Sequence, residues 1–478
     1  MNVLLIQSDQ QRWDTIGAGS VAITPNLDRL AARGVRFEAC YANAPLCVPS
    51  RASSVTGRWP HEAGCYGNAA AFDGRTTTYA HILNDNGILA ADIGRMDFAR
   101  GAEHGFDASR EHPRQEPDVF EYMRDPMAQR VGGYRSYCWD TGLLEEDRFE
   151  DQVAEICGWL ERHAGDAEPW CLVTNFNLPH PPFEVPRKYF EMYDPADTPL
   201  PHLPEGYLDN LHEAVRKHRY HWDVETPFPD ENIRLKRTIY YAMNTWLDDI
   251  VGVILGKLDE LGLAEDTLVI FTSDHAENLG DHGMWAKGSF YDTSCRIPMI
   301  MAGPDIPSGG FVKTPVSLID LAPTILDAFS VETPADMHGR SLLPLAGGKA
   351  DAHPGVVYGQ YHGHDAVTGE FMVRTARWKS IYHVGMPPQL FDMEADPEEL
   401  NDLASEPSCA SAVEEMESRL REAFDPEELD RQAKECQAER FKRWLQETDT
   451  TDVKNRLLED LGEAQYRRLA EHYPLPPL

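Results

Sequence analysis

Val3-Leu4-Leu5-Ile6-Gln7 runs into Ser8-Asp9-Gln10 at the start of the chain. An apolar run without alternation is the pattern of a strand buried on both faces, as in a parallel sheet. The same pattern returns at Thr267-Leu268-Val269-Ile270-Phe271-Thr272, which leads into Ser273-Asp274-His275. Both put an acid just past the carboxyl end of a strand, where α/β sheets collect ligands.

Helices and further strands fill the interval. Residues 25–34 read as a helix, with Pro25 early and Gly34 just past the end. Residues 79–86 read as a helix stopped at Gly87, 88–93 as a strand, 170–177 as a strand ending before Pro179-His180-Pro181-Pro182, and 231–261 as a long helix. This alternation predicts an α/β fold, a large mostly parallel central sheet flanked by helices. Gly347-Gly348 and 350–354 read as a junction. Beyond it, short alternating runs at 356–361, 371–375 and 379–383 predict a smaller C-terminal α+β subdomain on a short antiparallel sheet. Charged helices are expected over 402–424 and 426–447. The expected division is 1–350 for the catalytic domain, 351–435 for the subdomain and 436–478 for a helical tail. The extended end of that tail could cross to a neighbouring subunit, giving a homo-oligomer. Residues 197–230, rich in Pro, His and aromatics, read as a long excursion of the kind that lines a site.

The 478 residues carry 79 acids against 44 bases, a net charge of -35. That argues against nucleic acid or an anionic membrane as a partner. An anionic substrate would need a local cationic or metal-lined pocket. No apolar run reaches the roughly 18 residues of a membrane span. The first residues hold no basic region and read as a strand, not a signal peptide. A chain numbered from its true start would then be cytoplasmic; one trimmed of a leader would read the same. Nine cysteines, with no C-x-x-C, read as free thiols and not as a zinc site.

Cys47-Val48-Pro49-Ser50-Arg51, closed by Thr56-Gly57, places a small nucleophilic side chain beside a permanent cation. Asp9 with Gln10, and Asp274 with His275, offer oxygen ligands suited to calcium, magnesium or manganese, and the imidazole widens the choice toward softer metals. If those strand ends adjoin, they make a metal site facing Cys47.

The string C-x-P-S-R-x-x-x-x-T-G resembles the sulfatase signature, in which the Cys is oxidised to formylglycine and its hydrate is the nucleophile. Ser8-Asp9-Gln10-Gln11-Arg12 is similar to the family's T-D-D-Q-R. Phe271-Thr272-Ser273-Asp274-His275, with Gly280-Asp281-His282-Gly283 and Lys287, is similar to F-T-S-D-[HN]-G-E…G-x-H-G…K. Pro179-His180-Pro181-Pro182-Phe183 resembles the P-H-x-P-F loop. Gly105-Phe106-Asp107 and Leu390-Phe391-Asp392 match two more stretches. The resemblance runs from about residue 2 to 405 and implies a sulfatase of the alkaline phosphatase superfamily. It implies hydrolysis of a small-molecule or saccharide sulfate ester, with a formylglycine-generating enzyme as maturation partner. It implies one divalent metal, calcium first with manganese or magnesium as alternatives, on Asp9, Gln10, Cys47, Asp274 and His275. Cys47, Arg51, Arg95, Asp97, His180 and Lys287 would carry catalysis. In that scheme Arg51, Arg95 and Lys287 spread the charge of the ester oxygens, and His180 protonates the leaving group. The base for the last step stays open between His275 and Asp97.

Two departures stand out. Gln10 replaces the family's second Asp, and the Asp-Gln with Asp-His pairing is similar to the phosphonate monoester hydrolase branch. Gly94-Arg95-Met96-Asp97 stands where most members read G-K-x-H, and Asp97 would repel an anion unless protonated or paired with a cation such as Arg95. A phosphonate or phosphate ester hydrolase is therefore the alternative. A protein with unmodified Cys47 that binds a sulfated ligand without turnover is the remote one. His104, His202, His212, His218 and His221 are candidates for the pocket wall, while His61 is expected to pack or cap.

Overall fold

The computed structural model describes residues 1–108, 119–122 and 142–478, so Cys138 lies outside the described residues. The central sheet has eight strands: β1 Asn2–Asp9, β2 Val35–Phe37, β3 Leu89–Gly94, β4 Asp107–Ala108, β5 Trp170–Pro179, β6 Thr267–Ser273, β7 Met299–Ala302 and β8 Gly310–Val312. Their order is β8-β2-β7-β6-β1-β5-β3-β4. β1 lies between β5 and β6 and is parallel to both, with Ile6 opposite Thr174 and Phe271. In this sheet β7 alone runs against its neighbours. The expected mostly parallel sheet is what forms.

The unbroken apolar runs have a direct cause. Leu4 and Ile6 face one core layer, with Trp246, Leu247 and Val251 of the helix Asp230–Glu260. Val3 and Leu5 face the other, with Val48, Ala52 and Val55 of the helix Cys47–Thr56 and Ile325 of the helix Leu321–Ala328. A strand covered on both faces has no position for a polar residue until it ends.

Beyond the junction, β9 Val357–Tyr361, β10 Glu370–Arg374, β11 Trp378–His383 and β12 Gln389–Asp392 form an antiparallel sheet in chain order. One face packs on the helix Ala410–Ala423, the other on Tyr41, Phe290 and Tyr291 of the main body. Between the two, buried Lys379 Nζ lies 2.7 Å from both Asp292 and Glu399.

Two expectations change. Residues 402–409 are not part of an α-helix. Leu403 N donates to Leu390 O at 2.8 Å and Asp402 Oδ1 accepts from Leu390 N at 3.1 Å, so this stretch docks beside β12. A single helix, Pro426–Glu447, crosses residue 435, so the division read there falls inside one element. The helix Thr450–Leu469 follows, and the two share a small core of Phe441, Trp444, Val453, Leu457, Tyr466 and Leu469, against which Tyr122 packs. The end of the chain folds back on its own helix: Lys454 Nζ donates to Pro477 O at 2.8 Å, and Tyr473 and Leu475 join that core. Among the described residues no helix is long and apolar enough to cross a membrane.

Candidate active site

The carboxyl ends of β1 and β6 meet the amino end of the helix Cys47–Thr56, whose residues are all buried. Its first turn lacks a side-chain cap from Leu46; instead Asn68 Oδ1 accepts from Val48 N at 3.2 Å, and Asn68 Nδ2 donates to Glu121 Oε1 at 3.1 Å. The helix dipole favours negative charge at Cys47.

Asp9, Cys47, Asp274 and His275 converge so that one ligand atom from each lies within 4.8 Å of all the others. His275 Nδ1 donates to Ala276 O at 3.2 Å, which turns Nε2 inward, 3.2 Å from Cys47 Sγ, 3.8 Å from Asp9 Oδ1 and 3.7 Å from Asp274 Oδ1. That is how a metal-binding histidine is oriented from behind. Asp274 Oδ1 accepts from the backbone of Gln10 and His275, whereas Asp9 Oδ1 is buried with no hydrogen-bond partner. A buried orphan carboxylate oxygen beside an inward imidazole and a second carboxylate fits a divalent cation.

Gln10 enters through its side chain. Its Nε2 donates to Glu277 Oε2, so its Oε1 faces Lys287 Nζ at 2.6 Å. Glu277 is held by the N–H groups of Leu279 and Ala286. Lys287 Nζ also donates to Cys47 Sγ at 3.3 Å. His180 Nδ1 donates to Pro181 O at 2.6 Å, which leaves Nε2 as the ring's other nitrogen.

The charges explain the thiol. Burial alone would raise Cys47, but Lys287 and His275, with His180 nearby, outweigh it and the opposing Asp9, holding the thiol well below its ordinary range. Burial likewise pushes Asp9 up, and His180, Arg51, Lys287 and His275 bring it far down. Asp274 goes the other way, raised by burial and by its neighbour Asp9. Burial disfavours a charged His275, but Asp274 overcomes it and raises the imidazole.

Arg51 is fully engaged with its neighbours. It is 2% exposed, and its nitrogens go to Asp274 Oδ2 (3.0 Å), Asn175 Oδ1 (3.0 Å), Arg95 O (2.9 Å) and Asp9 Oδ2 (3.3 Å). Two fully buried carboxylates need a counter-charge, and Arg51 supplies it. Arg95 takes the outward place: Nε donates to Asp97 Oδ1 at 2.7 Å, Nη1 to Asn177 Oδ1 at 2.9 Å, and its side chain is 33% exposed. Asp97 is fully buried and also lies 3.7 Å from Arg51 Nε, so the pairing with a cation is real.

The candidate pocket histidines divide. His104 meets Phe98 in a tilted ring contact, His202 pairs with Glu398 at the surface, and His212 stacks on His383. His61 meets Gln360 and the edge of Phe424, a packing role. His218 lies 3.7 Å from buried Asp365, and His221 and His364 adjoin each other. Asn68, Asn175, Asn177 and Glu277 escaped the sequence reading. Glu277 was findable as the closing acid of the string that begins at Phe271, whereas uncharged amides carry no such signal.

A family model described as Sulfatase matches residues 1–331, and one described as N-sulphoglucosamine sulphohydrolase, C-terminal, matches residues 280–425. Choline-sulfatase of Rhizobium meliloti (strain 1021) is 31% identical over 471 residues, covering 92% of this chain and 90% of that protein. Arylsulfatase K of Xenopus laevis is 29% identical over 449 residues, covering 89% and 82%. Among solved structures, phosphonate monoester hydrolase SpPMH from Silicibacter pomeroyi superposes with a TM-score of 0.74 at 25% identity, covering 88% of this chain and 94% of that one. Fold and site together define an alkaline phosphatase-like ester hydrolase. Within that class the chain belongs to the sulfatase family, and it is a sulfuric ester hydrolase.

Proposed function

We propose that the chain hydrolyses the sulfate ester of a small alcohol or saccharide, using a formylglycine made from Cys47 and one divalent cation on Asp9, Gln10, Asp274 and His275. The observation that carries this is the convergence of Asp9, Cys47, Asp274 and His275 at the buried start of a helix. The names of the relatives, a choline-sulfatase and arylsulfatases K, support an ester of a small or sugar-like alcohol. A bound cation would neutralise the ester's charge and favour an ionised nucleophile. Formylglycine would supply a hydrated aldehyde hydroxyl in place of the thiol. Lys287 and Arg95 face the position of the ester oxygens and offset their charge. His180, held through Nδ1, presents Nε2 where the leaving oxygen takes a proton. Arg51 keeps the two carboxylates in place.

The donor set speaks to the metal. An amide oxygen and an imidazole nitrogen beside two carboxylates suit Mn2+ better than an all-oxygen calcium site would. The same Gln10 and His275, together with the likeness to phosphonate monoester hydrolases, support a second reading in which a phosphonate monoester is the better substrate. Turnover of an aryl sulfate against an aryl phosphonate monoester separates the two. Mass analysis of the Cys47 peptide reports whether the thiol has become an aldehyde. A thiol found intact in an active preparation, or activity kept by Cys47→Ala, would overturn the nucleophile. Cys47→Ala is expected to lose roughly 10³-fold or more in kcat.

A further inference from the structure

We infer that Asp97 is a positioning residue that acts through Arg95, and not a proton acceptor in the reaction. The inference rests on the ester hydrolase reading above and assigns a role that reading left open. The side chain of Asp97 is fully buried, with Oδ1 2.7 Å from Arg95 Nε and Oδ2 3.7 Å from Arg51 Nε. Its backbone sits at φ 60, a left-handed conformation that few non-glycine residues adopt. The two residues just before it are pinned. Arg51 Nη1 holds the carbonyl of Arg95, and Asn175 Nδ2 points at the sulfur of Met96.

The consequence falls on Arg95. A lysine needs no orientation, because its ammonium is a point charge, whereas a guanidinium acts through a planar fork that must be aimed. Asp97 takes the Nε edge and Asn177 takes Nη1. Among the described residues Nη2 has no hydrogen-bond partner, and Arg95 is partly exposed where Lys287 and Arg51 are buried. The two bonds thus fix a plane and leave one free corner, Nη2, for an oxygen of the anionic ester. Taking a proton would cost Asp97 both of its ion pairs and release the fork it aims. Asp97 and Arg95 are one device, a guanidinium with its own buried aiming carboxylate.

The test is a double-mutant cycle on the matured, metal-loaded enzyme with Asp97→Asn, Arg95→Lys and the two combined. Each is read by aryl sulfate kinetics and by calorimetric binding of inorganic sulfate. Loss of a charged hydrogen bond predicts that Asp97→Asn weakens sulfate binding and raises KM by roughly tenfold. The larger part of its loss then lies in KM, and the acid limb of the pH–kcat profile stays in place. In the Arg95→Lys background Asp97→Asn should add little, since there is no fork left to aim. A fall confined to kcat with a displaced acid limb would make Asp97 a base, and additive losses would show that it acts without Arg95; either overturns the inference. Should Asp97→Asn fold poorly, Asp97→Glu takes its place in the cycle with the same criteria. Sulfate binding needs no turnover, so an enzyme inactive on every ester would overturn the hydrolase reading while the pairing is still measured.

Discussion

The carboxylate of Glu277 takes the amide nitrogen of Gln10, and that one bond decides which end of the amide faces the catalytic centre. With Nε2 held, Oε1 points inward at Lys287 Nζ, the orientation that lets an amide serve as an oxygen ligand. Glu277→Ala should free Gln10 to flip. Loss of such an orienting partner is expected to weaken metal affinity about 10- to 100-fold, read by titrating Mn2+ into metal-stripped protein. Unchanged affinity would mean that Gln10 is no ligand.

Asp9 and Asp274 are fully buried, and the ring contains an acceptor with nothing to accept from. Cation binding should therefore stabilise the fold, by about 2.7 kcal/mol at a hundredfold excess over Kd. Chelation is expected to lower Tm, and Mn2+ to restore it more fully than Ca2+ at equal concentration. Restoration by Ca2+ alone would show that the imidazole does not set the preference.

Gly288 follows Lys287 at φ +94, and a Cβ there would come within 2.5 Å of Asp365 Oδ2 and 2.6 Å of the Tyr361 hydroxyl. Gly288→Ala is expected to cost about 1–2 kcal/mol in backbone strain alone. Because the shift moves Lys287, kcat/KM should fall further than stability predicts, roughly tenfold or more. Melting curves and kinetics on one preparation compare the two.

Asp92 is a buried carboxyl on β3, 4% exposed, with Oδ1 unpartnered. Burial, then Asp107, raises it from 3.8 to about 7. A carboxyl raised on folding holds its proton more tightly in the folded chain, so its contribution is fully present below 3.8 and lost as pH climbs to about 7. Stability should fall across that window by up to about 1.4 kcal/mol per pH unit from this group. Asp92→Asn is expected to flatten the slope, measured by denaturant unfolding at several pH values. A slope unchanged by the substitution would remove Asp92 as its source.

How far the sequence was legible depended on the kind of signal. The two apolar runs ending in Asp9 and Asp274 announced parallel strands and their ligand ends, because double burial forbids polar residues until the strand stops. Cys47, His180 and Lys287 stood in strings specific enough to bring them together. The partners of Arg51 were not legible because they lie far away in the chain: Asp274 is 223 residues distant, and a charge alone does not reveal which way it points. Asn68, Asn175 and Asn177 were invisible for a related reason, since an amide brace has no pattern of its own. Residues 402–409 carry apolar spacing that passes for helix, yet Leu403 pairs its backbone with Leu390, a long-range bond no local window contains.

The two C-terminal helices supply none of the motif residues, yet they reach the nucleophile. Tyr122 stacks on Trp444, its neighbour Glu121 holds Asn68, and Asn68 holds the backbone of Val48. Their core is a small satellite of the main one, and such units open at lower free energy than the central strands of a large sheet. On warming, turnover should therefore fail before the sheet melts. The inactivation temperature would then be a property of residues 426–478, and a tag or trim at that end would move it while leaving the global transition where it was.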